Sequence, residues 1–566
     1  SNAIPPLEAN GLVVTDDKNK SEFFNNHYSN VFTVDNGRMP NLARRDAQCF
    51  RLVVFTPSMV RLALSSLSNS HAAGPDGFAP ILAKKCADQL AYPLSKLFNI
   101  FMLIGIPDEW KLAHVIPVFK GKGCLSEPNS YRPISLTSTF SKVMEACVKK
   151  PMLQFLISHN IITKSQHGFL PNRSTLTELM GCYNDWILDL DNGRVTDVVY
   201  FDLAKAFDSV VHTKLVKKCW AFGISGSVLK FVEDFLSNRF QRVIVGEEMS
   251  SWSFVQSGVP QGSVLGPLLF LVYINDLPDN TPDTGSLVMF ADDTKAYDSF
   301  LRSIQVCSPV VSEMISCFYN WTEEWQLTVQ PSKCSVLRIG SRQASEPYTI
   351  NGENLPDVKE VKDLGVWFSS DLKFNAHVSK ISAKASRMVG LILRSFSCRN
   401  ADFMLNIYAS RVRPILEYNS EIWSPNTIQD IEKVESVQRK FTKKISGLGD
   451  LSYLERLERC NLETLEVRRI KRDLLLVYKI KEGKVNLDFD SFFIYSPARN
   501  TRGHPCKLYP IRAATSRCLS SFPFKVVNIW NKLPSTVVTA TSVNQFKQRL
   551  NACDNLLKAH TRGRAV

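Results

Sequence analysis

The first of two acidic stretches that organise this chain reads Val198-Val199-Tyr200-Phe201-Asp202-Leu203-Ala204-Lys205-Ala206-Phe207-Asp208, and the second reads Leu287-Val288-Met289-Phe290-Ala291-Asp292-Asp293-Thr294. In each stretch, a short apolar run with the length and composition of a β-strand ends at carboxylates. Such a strand normally packs into a sheet that is buried on both faces, where acidic groups are costly unless a cation neutralises them. The pattern therefore predicts an α/β (α+β) core with Asp202, Asp292 and Asp293 at strand ends.

Hard carboxylate oxygens at these positions suit Mg²⁺ or Mn²⁺. Two such ions, about 3.5–4 Å apart, would activate a hydroxyl and stabilise a leaving pyrophosphate, as a polymerase requires. The alternative is that both runs end in solvated turns, because Asp is a common turn residue. Taken one at a time, the two motifs leave both interpretations open.

The chain is basic: its 566 residues include 68 Lys and Arg against 54 Asp and Glu, a net charge of +14. This surplus suits a phosphate backbone as partner, although charge alone is weak evidence. The 14 cysteines form no Cys-x-x-Cys pair, which predicts reduced thiols in an intracellular protein. Cys506, Cys518 and Cys553, with His504 or His560, have spacings that fit no compact zinc module.

No apolar run is long enough to cross a bilayer, so no membrane association is expected. The N-terminus, Ser-Asn-Ala without an initiator Met, indicates a tag remnant or a fragment and not a signal peptide.

Local signals divide the chain into successive regions. Thr56-Pro57 is typical of a helix start. Residues 116–123 and 131–134 favour a β-hairpin with cations near its turn. Short strands and helices alternate from about 195 to 370, the pattern is helical and basic from about 374 to 480, and the remainder is basic with weaker periodicity.

Between the acidic stretches lies Ser257-Gly258-Val259-Pro260-Gln261-Gly262-Ser263-Val264-Leu265-Gly266-Pro267. Gly258 and Gly262 permit close approach of a backbone to a ligand. Ser263 is positioned to cap the following apolar segment and to leave amide N–H groups exposed at a helix start. Such a surface would support a nucleotide and its template base, and the alternative is an ordinary Gly-Pro loop.

Four further side chains are candidates for holding a nucleotide. A ring at Phe207 beneath the sugar would clash with a 2′-hydroxyl and favour deoxyribonucleotides; the alternative is a core Phe. Lys120 and Arg132 are candidates for gripping a triphosphate, since Arg offers bidentate geometry and Lys a mobile charge. Lys333 is a candidate acid for the leaving pyrophosphate. Solvated surface charges are the alternative for all three cations.

In order, these motifs resemble the reverse transcriptase of non-LTR (LINE-type) retrotransposons, particularly the jockey-like group. Besides the three stretches above, the resemblance rests on Gly74-Pro75-Asp76-Gly77, Tyr131-Arg132-Pro133-Ile134-Ser135-Leu136, Gln166-His167-Gly168-Phe169, Leu364-Gly365-Val366, Arg413-Pro414-Ile415-Leu416-Glu417-Tyr418, residues 431–439 and Trp530-Asn531-Lys532-Leu533-Pro534. The match covers roughly residues 55 to 550. The ordered set is specific, although no single motif is.

The resemblance implies a right-hand polymerase with fingers, palm and thumb, the palm built on an antiparallel sheet. The corresponding boundaries are an N-terminal extension at 1–55, fingers at 56–195, a palm with inserted fingers elements at 196–370, a helical thumb at 371–480 and a basic C-terminal segment at 481–566. Leu364-Gly365-Val366 is similar to the primer-grip hairpin of the family.

The resemblance also implies the roles of the site residues. Asp202, Asp292 and Asp293 correspond to the catalytic triad of the family, which holds two Mg²⁺ or Mn²⁺ ions. Asp202 and Asp292 would be the firmer metal ligands, and Asp293 would act mainly as their supporting partner. Phe207 corresponds to the sugar gate, Gln261 and Gly262 to the platform for template and nucleotide, and Lys120 and Arg132 to the triphosphate clamp.

The implied function is an RNA-directed DNA polymerase that extends a DNA 3′-hydroxyl on an RNA template. Its partners would be template RNA, a DNA primer or nicked target DNA, and deoxynucleoside triphosphates, in the nucleus and in a cytoplasmic ribonucleoprotein. Members of this family usually carry an upstream endonuclease, for which this chain has no room before the polymerase motifs. We therefore expect a truncated protein or a nick made elsewhere.

One predicted helix presents a basic stripe. Its core-facing positions recur at helical spacing, and they are Val378, Ile381, Ala385, Met388 and Ile392. Lys380, Lys384, Arg387 and Arg394 follow the same spacing on a neighbouring face. Because this segment aligns with the thumb of the family that the chain resembles, the resemblance implies that these cations contact a template–primer duplex. A solvated cationic face is the alternative.

Two other functions stay open from sequence. One is an inactive or domesticated descendant that binds RNA, and the other is a structural member of a ribonucleoprotein.

Overall fold

The computed structural model describes residues 4–9, 12–42, 48–301, 308–340, 346–497 and 504–561. Its strands are β1 (Leu7–Ala9), β2 (Leu12–Val14), β3 (Leu112–Phe119), β4 (Tyr131–Thr137), β5 (Arg194–Phe201), β6 (Phe240–Val245), β7 (Glu248–Met249), β8 (Ser253–Phe254), β9 (Ser286–Phe290), β10 (Asp293–Leu301), β11 (Ser335–Ile339), β12 (Thr349–Ile350), β13 (Glu353–Asn354), β14 (Asp357–Val358), β15 (Glu360–Asp363) and β16 (Val366–Ser369).

The helices are α1 (Asp17–Ser29), α2 (Pro57–Ser65), α3 (Pro80–Lys85), α4 (Ala87–Ile104), α5 (Thr139–Ser158), α6 (Thr175–Asp191), α7 (His212–Ala221), α8 (Gly226–Leu236), α9 (Gly266–Ile274), α10 (Pro309–Glu324), α11 (Asn375–Ser395), α12 (Ala401–Ile407), α13 (Arg413–Glu417), α14 (Ser420–Trp423), α15 (Ile428–Thr442), α16 (Tyr453–Arg459), α17 (Leu465–Lys481), α18 (Ser516–Leu519), α19 (Phe522–Trp530), α20 (Ser535–Val538), α21 (Val543–Asn551) and α22 (Asp554–Lys558). Within the described ranges, no helix is both long and apolar enough to span a membrane.

A five-stranded sheet in the order β14-β11-β5-β10-β9 forms the centre of the molecule. Strand β5 lies in the middle of this sheet. Its apolar side chains Val195, Val198 and Val199 are fully buried, as expected for a strand that is covered on both faces. The predicted mixture of helix and sheet is confirmed. The sheet itself is not purely antiparallel, since β14 pairs with β11 in parallel. Between these two strands lies the β12–β13 hairpin (residues 349–354), after which β14 runs in the same direction as β11.

A second sheet has the order β4-β3-β6-β7, with β8 also paired to β6. The predicted hairpin of residues 116–134 is present here, since β3 and β4 are antiparallel and Val118 lies opposite Arg132. Helix α1 packs against β6, and Phe24 and Tyr131 meet edge to face in the small core between them. This packing carries an N-terminal helix to the same side of the molecule as the hairpin.

The region from about 374 to 480 is helical, as predicted, and contains α11 to α17. The C-terminal helices α19, α21 and α22 pack directly on α17. Trp423, Leu474 and Trp530 are buried in one continuous hydrophobic core that also includes side chains of α6. The described part of the basic C-terminal segment is thus folded against the preceding helices.

Candidate active site

Asp202, Asp292 and Asp293 line one cavity of about 940 Å³, which Glu127 and Asp208 also line. Asp202 directly follows β5, and Asp292 lies in the two-residue turn between β9 and β10. Thr294 of β10 is opposite Phe201 of β5, so the next step of the register brings Asp293 opposite Asp202. The structure therefore brings together the acids that the sequence placed at strand ends.

Burial and repulsion from neighbouring carboxylates disfavour ionisation of Asp292 and Asp293. Burial, followed by the charge of Asp202, raises the pKa of Asp292, and the Arg132 guanidinium opposes that rise. Asp293 is exposed as a whole residue, although it lines the cavity. There, burial and then repulsion from Asp292 and Asp363 raise its pKa to about 6. A bound cation would relieve this repulsion.

The chemistry of the acids suits a divalent cation with oxygen ligands. Within the part of the chain that the structure describes, no three His, Cys, Asp or Glu side chains form a preformed metal cluster. Mg²⁺ does not need one, since it usually keeps several waters and binds through one or two carboxylates together with substrate phosphates. The donor set therefore fits an ion that arrives with a nucleotide better than a permanently bound one.

Cations lie on the same cavity as the acids. Lys120 follows β3 and Arg132 belongs to β4, while Lys333 lies in a 3-10 turn (Pro331–Lys333) that leads into β11. Burial, and then the charges of Arg132 and Lys333, lower the pKa of Lys120. Lys120 Nζ donates to the carbonyl of Asn129 at 2.6 Å, and Lys333 donates to the side chain of Gln330. Positive charge is concentrated here as a triphosphate would require.

Two further residues of the cavity had no predicted role. Lys205 adopts a left-handed backbone with a φ of 46°, and its Nζ lies 3.5 Å from Nε2 of His27 on α1. Burial, and then the charges of Lys205 and Lys120, lower the pKa of His27 to about 4, so its ring is neutral near pH 7. No local signal in residues 1–55 reveals this position, because it depends on how α1 packs against β6.

Phe207 lines the cavity and stacks on Phe270, with ring centroids 4.1 Å apart and an interplanar angle of 15°. Gln261 also lines the cavity, and its side-chain amide donates to both carboxylate oxygens of Asp208. Gly262 does not line it. A Cβ at Gly262 would lie 2.3 Å from the carbonyl oxygen of Ser135, so this glycine permits the loop to pack against β4.

The predicted exposure of amide groups after Ser263 is wrong. Ser263 Oγ does accept a hydrogen bond from the Gly266 amide at 3.0 Å. However, the amides of Val264 and Leu265 donate to the buried carboxylate of Glu145, at 2.7 and 3.0 Å. These groups are occupied by the protein itself and are not available to a nucleotide.

Comparison with known proteins identifies the domain that holds this site. Residues 120–368 match the family described as Reverse transcriptase (RNA-dependent DNA polymerase). They contain the acids, the triphosphate-binding candidates and the loop between the two acidic stretches. Residues 120–368 are a reverse transcriptase domain.

The chain is also similar to curated transposon proteins, which confirms the resemblance to non-LTR retrotransposons. It is 28% identical over 452 residues to the RNA-directed DNA polymerase from mobile element jockey of Drosophila melanogaster, covering 76% of this chain and 49% of that protein. It is 28% identical over 407 residues to the probable RNA-directed DNA polymerase from transposon X-element of the same species, covering 69% of this chain and 44% of that protein. The chain thus spans about half the length of these relatives.

A smaller cavity of about 170 Å³ adjoins the acids of the reverse transcriptase domain. Asp202 and Asp293 line one side, and the β15–β16 hairpin lines another. Leu364 and Gly365 form the hairpin turn with φ values of 41° and 91°, the positive values that a tight two-residue turn requires.

A buried charge cluster forms part of the lining of this smaller cavity. Lys295 of β10 pairs with Glu178 of α6 at 3.0 Å and with Asp363 of β15 at 2.5 Å. The cluster therefore connects the strand that follows the acidic turn to both α6 and the β15–β16 hairpin.

The predicted basic stripe on α11 divides into two parts. The core-facing positions are confirmed, since all five are buried or partly buried. Lys384, Arg387 and Arg394 are exposed. Lys380 instead donates to Glu360 at 2.6 Å, and its Nζ lies 3.4 Å from the centroid of the Trp367 ring. Its ammonium group is therefore already bound by residues of the β15–β16 hairpin.

Proposed function

We propose that this chain is an RNA-directed DNA polymerase of a non-LTR retrotransposon, extending a DNA 3′-hydroxyl on an RNA template. The observation that supports it best is the position of Asp202, Asp292 and Asp293 at adjoining strand ends in a cavity that also holds Lys120 and Arg132. Acids for divalent ions and cations for phosphates are the two requirements of nucleotidyl transfer.

Each side chain has a distinct task in this proposal. Asp202 and Asp292 would hold two Mg²⁺ or Mn²⁺ ions, with Asp293 beside them. Bound there, such ions would supply the positive charge that activates a primer hydroxyl and stabilises a leaving pyrophosphate. Lys120 and Arg132 bind the triphosphate, and Lys333 donates a proton to the pyrophosphate as it leaves.

The remaining residues select and orient the nucleotide. Phe207 lies beneath the sugar and excludes a 2′-hydroxyl, while Gln261 contacts the nucleotide or its template base. Gly262 supports that contact by letting the loop pack closely against β4. Lys384, Arg387 and Arg394 contact the phosphates of the template–primer duplex without reading its sequence.

The right-hand layout follows from the same assignment. Residues 1–55 are an N-terminal extension, 56–195 the fingers, 196–370 the palm with inserted fingers elements, 371–480 the thumb and 481–566 a basic C-terminal segment. The β15–β16 hairpin is the primer grip. We place the protein in the nucleus and in a cytoplasmic ribonucleoprotein, with an endonuclease supplied by a longer chain or another protein.

Primer extension on an RNA template tests the function directly. Deoxynucleotide addition that requires Mg²⁺ or Mn²⁺ and stops with a chelator is the expected result. RNA binding without any extension would instead support an inactive descendant or a structural ribonucleoprotein component.

A further inference from the structure

Residues 165–168 cover the edge of the central sheet next to the acidic turn. Strand β9 is the last strand of that sheet. The Met289 amide of β9 donates to the Ser165 carbonyl at 2.9 Å, and the His167 amide donates to the Met289 carbonyl at 2.7 Å. The segment therefore extends the sheet by a parallel bridge at Gln166. It reaches the sheet where β9 ends and the acidic turn begins.

The turn itself contains a backbone conformation that its residue disfavours. Ala291, directly before Asp292, has a φ of 55°. A side chain with a Cβ pays an energetic penalty in this left-handed region, and such residues persist only where the surroundings hold them. The orientation of the peptide between Ala291 and Asp292 sets where the Asp292 carboxylate points.

Gln166 supplies the contact that holds this turn. Its buried Oε1 accepts from the Ala291 amide at 2.8 Å and from the Gly168 amide at 2.7 Å. The approach is close, since a Cβ at Gly168 would lie 2.6 Å from the Ala291 nitrogen. Arg173 also holds the segment in place by donating a hydrogen bond to the backbone carbonyl of Gln166.

The residue type is also informative. A glutamate would accept the same two amide hydrogens, and it would avoid leaving Nε2 of Gln166 buried without a hydrogen-bond partner among the described residues. It would, however, add a negative charge beside Asp292 and Asp293, where repulsion between carboxylates already opposes ionisation. An amide accepts the hydrogen bonds without adding that charge.

We propose that Gln166 is a positioning residue for catalysis: it holds Ala291 in its left-handed conformation and thereby aims the Asp292 carboxylate into the cavity. The role rests on the proposed polymerase function, but the hydrogen bonds themselves do not. Gln166 acts through the backbone of the turn and touches neither nucleotide nor primer.

The test compares Gln166→Met, which keeps the length of the side chain but removes the acceptor, with Gln166→Glu, which retains it. A displacement of about 1 Å at a reacting centre can cost roughly 100-fold in rate, so we expect single-nucleotide addition by Gln166→Met to slow by about 10- to 100-fold. Duplex affinity should stay within about twofold, because the proposed thumb residues that bind the duplex are untouched. Gln166→Glu should be faster than Gln166→Met, because it keeps the acceptor, but slower than wild type, because it adds a charge beside Asp292 and Asp293.

A matched control separates positioning from loss of stability. Asn275 is another buried amide, and it binds the residues that lead into this segment. It accepts from the Thr163 amide at 2.9 Å and donates to the Ile161 carbonyl at 2.8 Å. Asn275→Leu should lower the melting temperature as Gln166→Met does, yet leave the rate of addition nearly unchanged. Equal rate losses in the two variants would overturn the proposal.

The left-handed turn provides a rescue. Glycine adopts a positive φ without penalty, so Ala291→Gly should restore part of the rate when it is combined with Gln166→Met. No recovery in the double variant would mean that Gln166 does not act through Ala291.

Two readouts need no turnover. One is hydrogen exchange of residues 286–294, and the other is Mn²⁺ affinity measured by electron paramagnetic resonance in the presence of a non-hydrolysable deoxynucleotide analogue. Gln166→Met should lose protection in this peptide and bind Mn²⁺ more weakly, and wild-type protection in the variant would overturn the proposal. If the wild-type chain adds no nucleotide but Gln166→Met still loses hydrogen-exchange protection in residues 286–294, the polymerase function is refuted. The hydrogen bond from Ala291 to Gln166 is then still supported.

Discussion

Asp208 accepts hydrogen bonds from the side-chain amide nitrogen of Gln261 through both of its carboxylate oxygens, at 2.9 and 3.0 Å. Burial raises the pKa of Asp208 to about 6, although this bond and the charges of Lys205 and Lys120 oppose the rise. Tyr28 of α1 also faces the group, and burial and then the Asp208 charge raise the pKa of the Tyr28 hydroxyl. Asp208 thus orients the Gln261 side chain, but its ionised form is buried and therefore lowers the stability of the folded protein near neutral pH.

Asp208→Asn should therefore separate stability from activity. The folded-state pKa near 6 lies above the unfolded value, so the stability provided by the protonated form is complete below about pH 4 and is lost as the pH rises through about 6. Asparagine never ionises, and the variant should melt at a higher temperature than wild type at pH 7.5. That advantage should shrink from pH 6 to pH 4 in thermal unfolding. A lower melting temperature at pH 7.5 would show that the bond to Gln261 outweighs the burial cost.

The same substitution should impair catalysis. One acceptor oxygen becomes a donor, so the Gln261 amide loses its fixed orientation, and kcat/KM for a correct deoxynucleotide should fall by about tenfold or more. Steady-state extension at pH 7.5 measures it, with Asp35→Asn as a control on a carboxylate that accepts from Thr213 outside the acidic stretches.

Asp202→Asn and Asp292→Asn should each reduce single-turnover extension by about 10³-fold or more, since each removes a proposed metal ligand. The double variant should be little worse than the poorer single variant, because residues that act as a unit are not additive. Asp298→Asn is the control on β10, where that carboxylate accepts from Ser308 at 2.6 Å. Duplex affinity should be unaffected, and near wild-type extension by either single variant would end the two-metal assignment.

Phe207→Val should raise ribonucleotide incorporation relative to deoxyribonucleotide incorporation by roughly 10- to 100-fold, because removing the ring leaves space for a 2′-hydroxyl. Phe207→Tyr retains the ring and should keep the discrimination of wild type. The measurement is the ratio of kcat/KM values for both substrates on the same enzyme. An unchanged ratio in Phe207→Val would leave Phe207 as a core residue stacked on Phe270.

The central strands and the position of the acids were predictable because their signals are local. Apolar runs ended by carboxylates indicated β5 and the β9–β10 turn, and the Thr56 N-cap was confirmed by its hydrogen bond from the Met59 amide at 3.3 Å. Helical spacing likewise identified the buried face of α11.

Features that depend on tertiary contacts were not predictable in the same way. His27 reaches the cavity only because α1 packs against β6. The prediction for the amides after Ser263 failed because Glu145 lies 119 residues away in sequence from Val264. Helical spacing on α11 also could not show that Lys380 is paired while Lys384 is exposed. The partners of Lys380, Glu360 and Trp367, lie on the β15–β16 hairpin and not on α11.

Lys295 should be essential for stability. Lys295→Met would leave Glu178 and Asp363 buried without their cation, and breaking a buried ion pair in this way costs about 3–5 kcal/mol. Combining it with Glu178→Gln and Asp363→Asn removes the unpaired charges and should recover most of the loss. Urea unfolding of the single and triple variants checks both statements, and a single variant as stable as wild type would contradict the first.

The exposed cations of α11 should govern the salt dependence of duplex binding. A cation that binds a DNA or RNA phosphate releases counterions, so removing one such cation lowers the slope of log affinity against log salt by about one. Replacing Lys384, Arg387 and Arg394 by alanine should therefore flatten the slope, weaken binding uniformly across sequences and shorten extension products. The rate of a single addition at saturating template–primer should not change.

Lys380→Ala is the matched control, because the Lys380 ammonium already pairs with Glu360. The salt slope of this variant should stay close to that of wild type. An unaltered slope in the triple variant would place this face in solvent, away from nucleic acid.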